Sequence, residues 1–141
     1  EANDIHPKNK RDVAERLARI ALAKDYGMKI PHRSPEFKSM EIKGGQAVIT
    51  LDTFGSGLRT FDVNEVRGFA ICGEDRKWVW ADAKITGNNT VAVSSSAVAA
   101  PVAVRYAWAD NPVCNLISRE GLPVTPFRTD DFPMITLPAA P

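Results

Sequence analysis

Gln46-Ala47-Val48-Ile49-Thr50-Leu51-Asp52 puts Ala47, Ile49 and Leu51 on one face of an extended chain and Gln46, Val48, Thr50 and Asp52 on the other. A period of two is that of a β-strand with one face in a core. Just upstream, Phe37 to Lys43 also reads as a strand, and Gly44-Gly45 between the two is a turn. The pattern continues downstream. Gly55-Ser56-Gly57 reads as a hairpin loop, Val66 to Ile71 as a strand, and Gly73-Glu74-Asp75 as a turn. Lys77 to Ala81 and Ala83 to Thr86 follow, then a Gly87-Asn88-Asn89 turn into Thr90-Val91-Ala92-Val93, then Val102 to Trp108 as the longest late strand. Many short strands separated by Gly, Asn and Asp turns, with no βαβ alternation, predict a mainly β chain folded as an antiparallel β-sandwich.

The segment before the strands has a different period. Val13, Leu17, Ile20 and Ala21 recur at helical spacing, with Lys10, Arg11, Glu15, Arg16, Arg19 and Lys24 on other faces. Asn9 suits the N-cap, Asp12 favours the positive end of the helix dipole, and Gly27 falls where a helix-terminating glycine belongs. The spacing predicts a helix over 9–26 whose apolar stripe needs a partner. The chain divides into 1–27 with this helix, a Pro-rich linker over 28–35, and a β domain over 36–141. The tail of that domain, from Asp110, reads as irregular because of its prolines, and Pro138 to Pro141 as a frayed end.

Among the 141 residues, 18 Lys and Arg against 17 Asp and Glu give a net charge of +1. A dedicated nucleic-acid binder carries a concentrated basic face, so no nucleic-acid partner is expected. No apolar run approaches the roughly 20 residues that span a bilayer, so no membrane partner is expected either. The N-terminal residues show no signal peptide. Cys72 and Cys114 form no C-x-x-C pair, which argues against a zinc knuckle or a dithiol redox site. Whether they pair with each other or stay as buried thiols is open at this level. The acidic residues Asp52, Asp62, Asp75, Asp130 and Asp131 do not form an EF-hand loop. No metal and no cofactor is expected.

Asn3-Asp4-Ile5-His6-Pro7 lies just before the helix. A serine nucleophile needs a base that titrates near neutrality, which imidazole supplies, and that base needs an acceptor on its other nitrogen. His6, with Asp4 nearby and Pro7 stiffening the loop, offers those parts. Locally, a D-x-H of this kind is more often a surface or capping feature. Trp78, Trp80, Tyr106 and Trp108 could stack on a sugar ring, although aromatics at strand spacing are more often core. His32 reads as an exposed linker residue, and Arg128 as a structural partner for an acid in the tail.

Two stretches carry a family resemblance. One is Asn3-Asp4-Ile5-His6-Pro7-Lys8-Asn9-Lys10 with Val13, Arg16-Leu17-Ala18, Ala21-Leu22-Ala23 and Tyr26-Gly27. The other is Pro101 to Pro112, then Asn115-Leu116, Gly121-Leu122-Pro123 and Pro126-Phe127-Arg128-Thr129-Asp130. Gly68-Phe69-Ala70-Ile71 and Trp80-Ala81-Asp82-Ala83 fit as well. Together they resemble the end of sialate O-acetylesterases, SGNH-type serine esterases that act on carbohydrates. The resemblance implies that residues 1–27 are the closing loop and helix of an SGNH α/β/α hydrolase domain. It implies that His6 is the triad base in the removal of acetyl groups from sugar hydroxyls through an acetyl-enzyme, and that the protein is extracellular or periplasmic.

Two features depart from the family pattern. SGNH hydrolases place the acid three residues before the histidine, where this chain has Asn3, and Asp4 lies two before. The serine, the oxyanion-hole glycine and the asparagine belong to blocks that do not occur here. Gly55-Ser56-Gly57 lacks the strand–turn–helix setting of a nucleophile elbow. The expected partners are therefore a serine-bearing SGNH domain upstream, on the same polypeptide or a separate chain, and an acetylated carbohydrate. Taken alone, the chain is expected to be inactive. The rival reading is a non-catalytic carbohydrate-binding or structural β-sandwich module.

Overall fold

The computed structural model describes residues 3–6 and 8–133. Pro7 and Pro138 to Pro141, assigned above to a stiffened loop and a frayed end, lie outside the described residues. One helix, α1 (Lys10–Lys24), precedes ten strands. They are β1 (Glu36–Lys43), β2 (Gln46–Asp52), β3 (Leu58–Thr60), β4 (Phe69–Cys72), β5 (Val79–Trp80), β6 (Asp82–Ile85), β7 (Thr90–Ser94), β8 (Ala103–Tyr106), β9 (Leu116–Ser118) and β10 (Phe127–Arg128). One four-stranded sheet has the order β1-β2-β7-β6, a second β10-β8-β4-β5, and β3 pairs with β9 in a two-stranded ribbon. Every pairing among them is antiparallel.

The alternation in 46–52 is realised as read. Ala47, Ile49 and Leu51 are fully buried, as are Val91 and Val93 on the neighbouring β7. They meet Phe69, Ile71, Val104, Tyr106 and Phe127 of the second sheet in one continuous core. Burying an Ile, Leu, Val or Phe side chain in this way contributes about 1.5–3 kcal/mol each. Gly44 and Gly45, both at positive φ (+55° and +78°), join Lys43 to its pair Gln46. Two successive left-handed residues make the tight hairpin whose twist matches the strands, and glycine is the residue that takes that shape without strain. At Gly68 (φ +103°) an added Cβ would sit 2.6 Å from the Cβ of Cys114. The absent side chain lets the chain after β8 lie directly against the start of β4.

Three local expectations are revised. Gly55-Ser56-Gly57 is a loop but not a hairpin, because β2 and β3 lie in different sheets. The tail after Asp110 is not wholly irregular. It supplies β9 and β10, and Val124 N–H bonds to the Leu116 carbonyl. Four-residue β4 and β8 are shorter than the runs that predicted them, although Val102 and Ala107 on either side of β8 still donate to the Cys72 and Gly68 carbonyls at 2.9 Å.

The tail is fixed by side chains. Arg105 donates from Nε and Nη2 to the two carboxylate oxygens of Asp130, both at 2.8 Å, and Arg128 Nη1 lies 3.7 Å from the same carboxylate. The Arg105 guanidinium also stacks 4.1 Å above the Trp78 ring. Asn115 is buried and accepts from Arg67 N–H (2.8 Å) while donating to Asp62 Oδ1 (3.0 Å) and the Glu65 carbonyl (2.8 Å). The buried Tyr106 hydroxyl accepts from Leu116 N–H at 3.0 Å, and burial pushes the phenol's pKa up. Of the four aromatics, Tyr106 is core, Trp78 is half-buried, and Trp80 and Trp108 are exposed.

Helix α1 stands apart from this core. Asn9 caps it, accepting from Asp12 N–H at 3.2 Å, and Met28 N–H reaches back to the Leu22 carbonyl. No residue of α1 is buried, and Leu17, in the middle of the apolar stripe, is 63% exposed. The helix touches the sandwich through Arg19, which donates to the Glu120 carbonyl at 3.2 Å. Residues 28–35 carry no regular structure, and Pro35 is buried with its carbonyl bonded to Thr125 N–H. Deletion of residues 1–27 should therefore leave a single cooperative thermal transition within a few degrees of the intact chain. Calorimetry of the truncated protein checks this, and loss of the transition would make the helix integral to the sandwich.

Candidate active site

The loop before α1 is organised by one carboxylate. Asp4 Oδ1 accepts from the His6 backbone N–H at 2.8 Å, an Asx-type turn, and lies 3.5 Å from His6 Nδ1. The shorter contact is an ordinary hydrogen bond, and the longer one lies beyond the usual range. The carboxylate thus holds the loop's shape first and sits beside the imidazole second. The His6 side chain is 81% exposed. The structure brings the two predicted site residues together and leaves the ring exposed to solvent.

No hydroxyl among the described residues hydrogen-bonds to His6. Ser56 is engaged elsewhere: its Oγ donates to the Gly57 carbonyl (3.1 Å) and accepts from Arg119 N–H (3.3 Å). His32 is half-buried rather than exposed, with Nδ1 3.1 Å from the Ile30 carbonyl. It lines a cleft of about 420 Å³ with Arg33, Thr53, Phe54, Ser56 and Glu120. A second cleft, about 450 Å³, separates α1 from the sandwich and is lined by Asp12, Glu15, Arg16 and Arg19 on one side and Arg59, Phe61 and Glu120 on the other. No group of three or more His, Cys, Asp or Glu that could hold a metal occurs among the described residues. Among them, too, no helix is long and apolar enough to cross a membrane. Cys72 and Cys114 are free thiols, the first buried, with its pKa pushed up by that burial, and the second exposed.

The sequence pattern did not reveal which aromatics would be exposed. Trp80 is on a two-residue edge strand, where alternation is too short to fix a face. The Arg105–Asp130 pair was equally hidden, because its partners are 25 residues apart.

No family model matches the chain, and no curated protein matches it. Among solved structures, it is similar to a carbohydrate acetylesterase from Xanthomonas citri, at 49% sequence identity and a TM-score of 0.85. The match covers 92% of this chain and 30% of that one, so the chain spans about a third of the length of the esterase it resembles. An identity this high over nearly the whole chain shows that it shares the fold of the matching third of that esterase, the mainly β architecture described above.

Proposed function

We propose that this chain is part of a serine esterase that removes O-acetyl groups from sugars, sialate or another acetylated glycan, and that His6 is its general base. The observation that carries the reading is the 49% identity to a carbohydrate acetylesterase over 92% of the chain. The exposed His6 at the root of a helix with an uncovered apolar stripe supports it. A serine-bearing SGNH domain, on the same polypeptide or a separate chain, would cover Val13, Leu17 and Ile20 and bring its hydroxyl to His6. Imidazole then takes the proton as serine Oγ attacks the acetyl carbonyl. It returns the proton to the departing sugar oxygen, leaving an acetyl-enzyme, and activates the water that releases acetate. Asp4 lies 3.5 Å from the imidazole Nδ1, and its hydrogen bond is to the His6 backbone N–H at 2.8 Å. The site of action is outside the cytoplasm, extracellular or periplasmic.

The test is acetate release in two preparations. The purified chain by itself should not turn over p-nitrophenyl acetate faster than an equal amount of free imidazole. No hydroxyl among the described residues is bonded to His6, and in this reading the oxyanion hole, whose donors are each worth about 100-fold or more in rate, belongs to the serine-bearing domain. The polypeptide joining it to a serine-bearing domain should release acetate from acetylated sugars. Turnover by the chain alone, or none by the joined protein, would sink the reading. A specific observation also keeps the non-catalytic module in view, namely a solvent-exposed tryptophan on the sandwich.

A further inference from the structure

Trp80 is 69% exposed, although tryptophan is among the residues most buried on average. It lies on the edge strand β5, paired with Ala70 on the sheet face opposite Phe69 and Ile71 of the core. Leaving an indole there forgoes the stabilisation that burying it would supply. The surroundings mix apolar groups, Val66, Ala81, Pro112 and Val113, with four polar side chains. Trp80 lines a cleft of about 480 Å³, within the range of about 300–1,000 Å³ typical of small-molecule sites. Gly68, Phe69, Ala109, Asn111, Pro112 and Val113 also form its wall. Gly68 makes that wall possible, since a side chain there would collide with Cys114 and push its segment away. Around the indole stand Glu65, Arg67, Asp82 and Asn111, all exposed.

A pyranose ring has a face of C–H groups, slightly positive, and a rim of hydroxyls that both donate and accept. The indole offers a flat face of negative charge. Asp82 accepts and Asn111 both donates and accepts, whereas Arg67 already donates from Nε and Nη2 to Glu65 at 3.2 and 3.0 Å. We propose that this cleft is an accessory subsite for a neutral glycan chain. Trp80 is the stacking platform, and Asp82 and Asn111 bind hydroxyls. The glycan as ligand class rests on the carbohydrate-esterase reading; the cleft itself does not depend on His6. Binding here would hold a polymer against the sandwich while its acetyl groups are presented elsewhere.

The experiment follows the indole N–H signals of the isotope-labelled full chain, with its three tryptophans assigned by single Trp→Phe variants. The probes are acetylated xylan oligosaccharides, their saponified forms and glucomannan oligosaccharides at millimolar concentrations. The Trp80 signal should shift with at least one probe. Trp80→Ala should weaken Kd about tenfold or more, and Trp80→Phe should retain part of the affinity. Asn111→Ala, in the same cleft, should also weaken binding, and every variant should melt as the parent does. No shift with any probe overturns the proposal, as does unchanged affinity in both Trp80→Ala and Asn111→Ala. Protection of the Trp80 indole by the serine-bearing domain without sugar would also overturn it, making the cleft an interdomain contact. Binding is read without acetate release. Glycan binding in a protein that deacetylates nothing would therefore fail the esterase reading alone, and deacetylation without binding would fail the subsite alone.

Discussion

In the serine esterase proposed above, His6→Ala is expected to lower kcat by about 10⁴ or more, the usual cost of losing one member of a serine triad. The melting temperature should stay put, because the side chain is largely solvent-exposed and forms no part of the core. Asp4→Asn is expected to cost far less, since an asparagine oxygen can still accept from His6 N–H and preserve the turn. Single-turnover acetate release from the two variants measures both effects. An Asp4 variant as inactive as the His6 variant would make Asp4 the orienting acid despite its two-residue spacing. A His6 variant with near-normal activity would remove the proposed base altogether.

The largest expected effect on stability is at Asp130. Its carboxylate is 1% exposed and receives both arms of Arg105, itself 20% exposed. Asp130→Ala would strand a guanidinium with little water to replace its partner, and should cost about 3 kcal/mol. The hydrogen bonds from Arg105, chief among the causes, hold the Asp130 carboxyl below the usual carboxylate range. The folded chain therefore binds this proton less readily than the unfolded chain, whose Asp titrates near 3.9. The pair's contribution is fully present above that value and is lost as pH falls through the lower folded one. Urea midpoints between pH 7 and pH 2 should show the parent losing part of its advantage over Asp130→Ala in the acid limb. Parallel curves for the two proteins would mean that the pair adds nothing to stability.

The sandwich was legible where a local rule sufficed. Ala47, Ile49 and Leu51 alternate over seven residues, and a one-residue slip would have put all three in water. Asn9, Asp12 and Gly27 bracketed the helix for the same reason, each acting within one turn. What escaped was non-local or too short. β3, β9 and β10 have two or three residues and exist because distant segments dock on one another, as Leu58 to Thr60 do on Leu116 to Ser118. The prolines after Asp110 suggested disorder of pattern, whereas the Arg105–Asp130 and Asn115 bonds hold that segment down. For the site, His6 and Asp4 were found together in the sequence and lie together in space. The proposed role of the ring as a base depends on a serine hydroxyl, and no hydroxyl among the described residues lies bonded to it. The exposure of Trp80 depends on the path of Ala109 to Val113, which no periodicity encodes.

The two cysteines turn the loose seating of α1 into something that can be timed. Cys72 lies in the core with a suppressed thiolate, whereas Cys114 is exposed and lines the cleft beneath the helix. A thiol reagent should thus modify one sulfur quickly, and reach the second at the rate at which the sandwich opens. Cys114 shares its cleft with Asp12, Glu15, Arg16 and Arg19 of α1, so docking of the proposed serine-bearing domain on the helix is expected to alter access to it. Its labelling half-time would become a clock for assembly, slow when the helix is clamped and fast when it is free, with the Cys72 reaction serving as an internal standard for global opening.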